Sequence, residues 1–146
     1  MNLFASIETH ARNRPSHPAV IDGERVLTYR DLHRLMLATA ARLAASGVGQ
    51  GDVVGVHLDH SADHLVMVYA LARLGAINLP LEHGLAAPER LRAIERFAAR
   101  FVISHGEVDS IGAATTIRID DSWRSASDTV DPPPMAAGSD LPLLFS

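Results

Sequence analysis

Between residues 53 and 81 the apolar pattern changes character three times. Residues 53–58, Val-Val-Gly-Val-His-Leu, are a short apolar run rich in β-branched side chains. That is the composition of a strand covered on both faces. Ser61 fits an N-cap, and Asp63 falls in the first turn that follows, where the helix dipole favours negative charge. Residues 65–74 are apolar almost all round, as in a buried helix, and Gly75 takes the C′ position behind them. Residues 76–79 predict a second strand, stopped by Pro80. Strand, helix and strand within about thirty residues form a βαβ unit, which implies a parallel pair and a right-handed crossover.

The flanking patterns extend this unit. Leu3, Phe4, Ile7 and Ala11 recur at helical spacing and predict an amphipathic helix over residues 3–13, ended by Pro15 and Pro18. Residues 19–21 and 25–27 flank the turn dipeptide Asp22-Gly23 and predict a small hairpin. Thr28 and Asp31 have the spacing of a capping box. Leu32, Leu35, Met36, Thr39, Ala40 and Leu43 then share one face of a long helix that ends at Ser46-Gly47. Pro88 suits the first position of a further helix, with Leu91, Ile94, Phe97 and Ala98 on its buried side. Residues 101–104 and 116–119 predict two more strands. The stretch 121–140, with a proline triplet and several serines, predicts a mobile loop. The apolar run 141–146 has strand character and no terminator behind it, which leads us to expect a cut end. The fold class is therefore α/β: a mostly parallel sheet flanked by helices and preceded by a helix and a hairpin, over residues 1–120. A sheet left open at its edge would be a surface for self-association.

Size and charge narrow the classes. The 146 residues suit one domain with a real core, and 47% hydrophobic with 21% charged residues is ordinary for a globular protein. A net charge of -4 and a pI near 6.0 give no electrostatic case for nucleic acid or an anionic membrane. There is no cysteine, hence no disulfide, thiolate metal site or cysteine nucleophile. The first residues lack the basic start and apolar run of a signal peptide, and no stretch has the apolar length of a membrane span. A cytoplasmic setting is the expectation.

Candidate chemistry is sparse. Gly47, Gly49, Gly51 and Gly55 invite a dinucleotide reading, but they follow a helix and precede a strand, the reverse of what a phosphate cradle needs. They read as a helix cap and a tight loop. His57, His60 and His64 lie close in sequence without the i, i+4 pairing of a helical metal motif, and no metal site is expected. His33 and Arg34 read as a solvated face. So do Glu89, Arg90, Arg92, Glu95 and Arg96, whose charges suit intrahelical pairs. No serine sits in a nucleophile-elbow context. Glu82 and His83 are the best placed for function, because ligands of parallel sheets gather at the strands' carboxyl ends, although a plain loop is the favoured reading for them.

Taken together, the motifs resemble a known family. Leu27-Thr28-Tyr29-Arg30-Asp31-Leu32 resembles the first core motif, L-T-Y-x-E-L, of the adenylate-forming superfamily. That group holds acyl-CoA synthetases, nonribosomal peptide adenylation domains and luciferases. The stretch from Leu71 to Leu81, L-A-R-L-G-A-I-N-L-P-L, is similar to the second motif, L-x-x-G-A-x-x-x-P-L. Residues 47–54, G-V-G-Q-G-D-V-V, resemble the family's G-V-x-x-G-D-x-V, and Pro15, Pro18, Ala19 and Val20 match its lead-in. The resemblance runs over about residues 2–104 in order and makes the chain similar to a partial N-terminal subdomain of such an enzyme.

The resemblance implies ATP with Mg2+, a carboxylic acid substrate, an acyl-adenylate, and transfer to the thiol of CoA or of a carrier protein. A stand-alone acyl-CoA synthetase is the first expectation; a peptide-synthetase adenylation domain and a non-catalytic remnant or interaction module are the alternatives. It also implies that residues 141–146 lead into a phosphate-binding loop, of which Ser146 would be the first residue. The hinge and catalytic lysine of the family lie further on, so the 146-residue chain is expected to be inactive by itself. Thr28, Tyr29, Leu32, Gly51, Asp52, Gly75 and Pro80 fall on motif positions and carry an architectural role. The pattern is departed from at Asp31, where Glu is common, and at His60, where an asparagine is frequent.

Overall fold

A computed structural model describes residues 3–59, 61–82, 84–105 and 113–124. Helix α1 (Leu3–Asn13) leads into the antiparallel hairpin β1 (Pro18–Asp22) and β2 (Arg25–Thr28), and Thr28 starts α2 (Tyr29–Ala45). The capping box closes as its spacing predicts: the Asp31 N–H donates to Thr28 Oγ1 at 3.2 Å, and the Thr28 N–H donates back to Asp31 Oδ2 at 3.1 Å. There follow β3 (Val53–His57), α3 (Ala62–Leu74), β4 (Ile77–Pro80), α4 (Ala87–Arg96), β5 (Phe101–Ser104) and β6 (Thr115–Arg118). The four last strands form one parallel sheet in the order β4-β3-β5-β6.

Strand alternation divides the core. Val54, Val56, Phe101 and Ile103 face α2 and α3, packing on Leu43, Met67, Ala70 and Leu71. Leu79 and Val102 face the other way, onto Ala93 and Ile94 of α4. On that second face Gly55 contributes no side chain, and Leu81 fills the gap. A Cβ at Gly55 would stand 3.0 Å from Leu81 Cδ1 and 3.4 Å from Val102 Cγ2. A third cluster lies outside α2 and α3, where Phe4 and Ile7 of α1 meet Leu27, Leu32, Met36 and Val66. Burying each large side chain such as Met36, Leu43 or Leu71 contributes about 1.5–3 kcal/mol. Gly75 ends α3 at φ 70°, the left-handed cap that frees the chain to re-enter the sheet as β4.

Several expectations need correction. Ala98 is exposed rather than buried, because α4 stops at Arg96 and Ala98 turns left-handed (φ 51°); the buried positions are Ala93, Ile94 and Ala99. Pro88 takes the second helical position, since Ala86 is the N-cap. Pro80 closes β4 from within rather than stopping it from outside, as β4 is an outer strand with room for a missing N–H. The fourth predicted strand lies one residue earlier, at Thr115–Arg118. Residues 121–140 begin with a single 3-10 turn, Asp121–Arg124; the rest of that stretch, residues 141–146 and Ser146 lie outside the described residues.

Candidate functional site

In a parallel sheet all strands point one way, so the loops sort to two edges. The carboxyl edge carries the loops after β3, β4, β5 and β6, and is where an open α/β sheet takes its ligands. Here it collects Asp59, the N-terminus of α3, Glu82, His105, Asp120 and the 121–124 turn. The amino edge carries the glycine-rich loop between α2 and β3, and the start of β5.

The carboxyl edge is organised by carboxylates. Ser61 stands at the N-cap of α3, but its hydroxyl makes no capping bond and finds no hydrogen-bond partner among the described residues. The orphan Ala62 N–H is taken instead by Asp22 Oδ2 at 3.1 Å, reaching in from the hairpin. Asp63, one residue on, binds two guanidinium groups: Arg25 Nη1 donates to Oδ1 at 2.9 Å, and Arg124 Nε and Nη2 donate to Oδ2 at 3.0 and 2.8 Å. Burial pushes the Asp63 carboxyl up, and the hydrogen bonds and charges of Arg124 and Arg25 more than reverse it, leaving it below the usual carboxylate range. Behind Arg124, the Arg42 guanidinium of α2 lies 4.0 Å over the Trp123 ring and donates to Ser122 Oγ. A small cleft of about 20 Å³ lies by the turn, next to Thr39, Met67, His105 and Trp123, space for about one water.

Glu82 is exposed beyond β4, with its carbonyl accepting from the Leu85 N–H, and His83 lies outside the described residues. His57 Nδ1 donates to the Leu81 carbonyl at 3.1 Å. Among the described residues no three His, Cys, Asp or Glu side chains converge as metal ligands; His60 falls outside them. His33 is half-buried rather than on a solvated face. Its ring lies 5.8 Å from Phe4, its Nε2 has no hydrogen-bond partner among the described residues, and burial holds its pKa below the ordinary histidine value. Glu89 and Arg90 bond the backbone at the start of α4, to Ala86 N and Leu85 O.

The motif residues sit at the joints. Tyr29 lies between the rings of His10 and His17, at 5.0 and 6.1 Å, and Leu32 is buried behind it. Asp52 Oδ2 accepts from the Gly49 N–H at 2.8 Å, the Gly51 N–H donates to the Gly75 carbonyl at 3.0 Å, and Arg100 Nη1 bonds Asp52 from the start of β5. These bonds decide whether the described residues suit a nucleotide's phosphates. In the glycine loop Asp52 and Gly75 already hold the N–H groups of Gly49 and Gly51. The N-termini of α2, α3 and α4 are answered by Asp31, Asp22 and Glu89. A phosphate at any of these helix starts would compete with a carboxylate for an N–H group. Sequence reading places Asp63 in a first helical turn and Asp22 in a hairpin turn, but nothing local marks Arg25 and Arg124 as the partners of Asp63, or Arg42 as that of Trp123.

A parallel sheet with helices on both faces, an N-terminal helix and hairpin, and capped joints at the motif positions define an α/β scaffold. Residues 7–140 match the family model described as AMP-binding enzyme, and the chain belongs to that family. It is 33% identical over 128 residues to phosphinothricin tripeptide synthetase PhsC of Streptomyces viridochromogenes, covering 85% of this chain and 12% of that protein. It is 28% identical over 151 residues to the fatty acid–[acyl-carrier-protein] ligase ScoC of Streptomyces coeruleorubidus, covering 97% of this chain and 29% of that one. The fold is similar to the N-terminal subdomain of Klebsiella oxytoca NpsA solved with 3-hydroxybenzoyl-AMSN. The TM-score is 0.83 at 21% identity, over 95% of this chain and 36% of the other. The chain thus spans well under two thirds of each of these relatives.

Proposed function

We propose that the chain is the N-terminal portion of an ATP-dependent, AMP-forming ligase that activates a carboxylic acid as its acyl-adenylate and passes the acyl group to a thiol. The observation that carries this reading is the family match over residues 7–140, which holds the two core motifs in order. Residues 1–120 would be the structural half of the large domain and 121–140 a connector. Residues 141–146 would be a strand opening onto a phosphate loop that begins at Ser146. ATP and Mg2+ would be bound by residues beyond those described, in the cytoplasm. The carrier-protein thiol is favoured over CoA as acceptor, because PhsC is a peptide synthetase and ScoC an acyl-carrier-protein ligase.

The 146-residue chain by itself should give no ATP–pyrophosphate exchange with any carboxylic acid, whereas the product of the whole reading frame should exchange and then load a carrier protein. Exchange by a pure, mass-verified 146-residue sample would overturn the assignment of roles within the chain. A whole product that neither exchanges nor forms a thioester would overturn the ligase reading itself and leave a non-catalytic module. Loading of CoA in preference to the carrier would restore the acyl-CoA synthetase reading.

A further inference from the structure

The chain that follows β6 is held in place by a residue outside every motif discussed above. Asp63 keeps 12% of its side chain exposed at the start of α3. It binds Arg25, 38 residues before it in the chain, and Arg124, 61 residues after it, with one oxygen for each. On the far side of the same turn, Arg42 covers Trp123 and bonds Ser122. No residue of the turn is fully buried, and its one apolar contact is the partly buried Trp123 ring against the core below. Beyond that contact, its docking rests on two polar grips, from α3 and from α2. Of these, the Asp63 grip is the more shielded: Arg124 donates twice to a carboxylate that the hairpin also binds, and such charge-assisted pairs are the stronger hydrogen bonds.

We propose that Asp63 is a positioning residue that latches the 121–124 turn to the hairpin across the carboxyl edge of the sheet, and so fixes where the chain after β6 leaves the domain. The latch goes beyond the ligase reading and would stand without it.

Trp123 is the single tryptophan, so its fluorescence reports the turn alone. Acrylamide quenching is measured well below the melting midpoint of each variant. Asp63→Asn and Arg124→Gln should each raise the quenching constant about twofold or more, as expected for local opening of a polar-held turn. The double variant should exceed neither by much, because both single changes remove one interaction. Asp63→Glu, which keeps the charge, should restore most of the protection. A lower melting midpoint with Trp123 still fully protected would make Asp63 a structural residue only and overturn the proposal. Should Asp63→Asn fail to fold, Arg124→Gln decides the matter, since its side chain is 48% exposed and its loss leaves the core intact. Unchanged quenching in that variant also overturns the proposal.

Discussion

The two edges of the sheet are built on different principles. At the amino edge most contacts are short in sequence or backbone in nature, Gly49 to Asp52, Gly51 to Gly75 and the backbone bonds that bring Arg100 to β3, and the exposed Arg100–Asp52 pair is the long-range side-chain contact among them. At the carboxyl edge the joints are side chains reaching from far away: Asp22 to Ala62, and Arg25 and Arg124 to Asp63. A local loop keeps its geometry whatever the rest of the chain does. An ionic junction keeps its geometry only while three segments stay together, and it responds to salt and acid. The amino edge carries residues 47–54, which resemble G-V-x-x-G-D-x-V, while the carboxyl edge is the one where a parallel sheet binds ligands.

The contrast can be broken from the core outward. Leu71 is fully buried in the last turn of α3, and Leu71→Ala should cost about 2–5 kcal/mol, read from urea midpoints. Asp63→Asn should cost about 1.5–3 kcal/mol, the range for hydrogen bonds to a charged group. Its effect should shrink in high salt. Because the folded carboxyl titrates below its unfolded value, its contribution is complete above about pH 3.9 and is lost as the pH falls through that value toward the folded one. The difference between wild type and Asp63→Asn should therefore vanish in acid. A difference that persists under fully protonating conditions would contradict an ionic junction.

At the amino edge, Asp52→Ala should cost about 1 kcal/mol, as for a lost cap, with little dependence on salt, since the contact that matters is to the Gly49 N–H. A salt-sensitive loss would shift the weight to Arg100, 63% exposed, and would erase the distinction between the edges. The smallest effect is expected at His33, away from both edges. Its folded pKa lies below its unfolded one, so stability is complete above about pH 6.5 and falls as the pH drops through that value toward the folded one. His33→Gln should flatten that slope in thermal melts between neutral and mildly acidic pH.

The same contrast explains what could be read in advance. Helix α1, the hairpin, the capping box, α3 with Gly75, and β5 all follow from local periodicity and caps, because their determinants lie within a turn or two of one another. The end of α4 is not legible in the sequence, because nothing in Phe97-Ala98-Ala99 marks a left-handed alanine; Ala98 takes that conformation where Ala99 turns into the core. Ser61 holds the N-cap position of α3 as its residue type predicts, but the capping acceptor comes from the hairpin, as Asp22. The Asp63 junction was half legible. A carboxylate in a first turn is a standard helix signal, but partners 38 and 61 residues away leave no trace in a sequence window.

Pro80 gives the sheet a direction for growth. Along β4 the N–H groups of Ile77 and Leu81 point inward, to Asp52 and Val56. Alternation then turns the nitrogens of Asn78 and Pro80 outward, and the proline has no hydrogen to offer. A strand approaching β4 from outside would find one donor where a regular edge presents two. The far edge, β6, carries no proline in Thr115–Arg118. A fifth strand, whether from this polypeptide or from another molecule, therefore has a receptive side and a blunted one, and the sheet extends past β6 before it extends past β4.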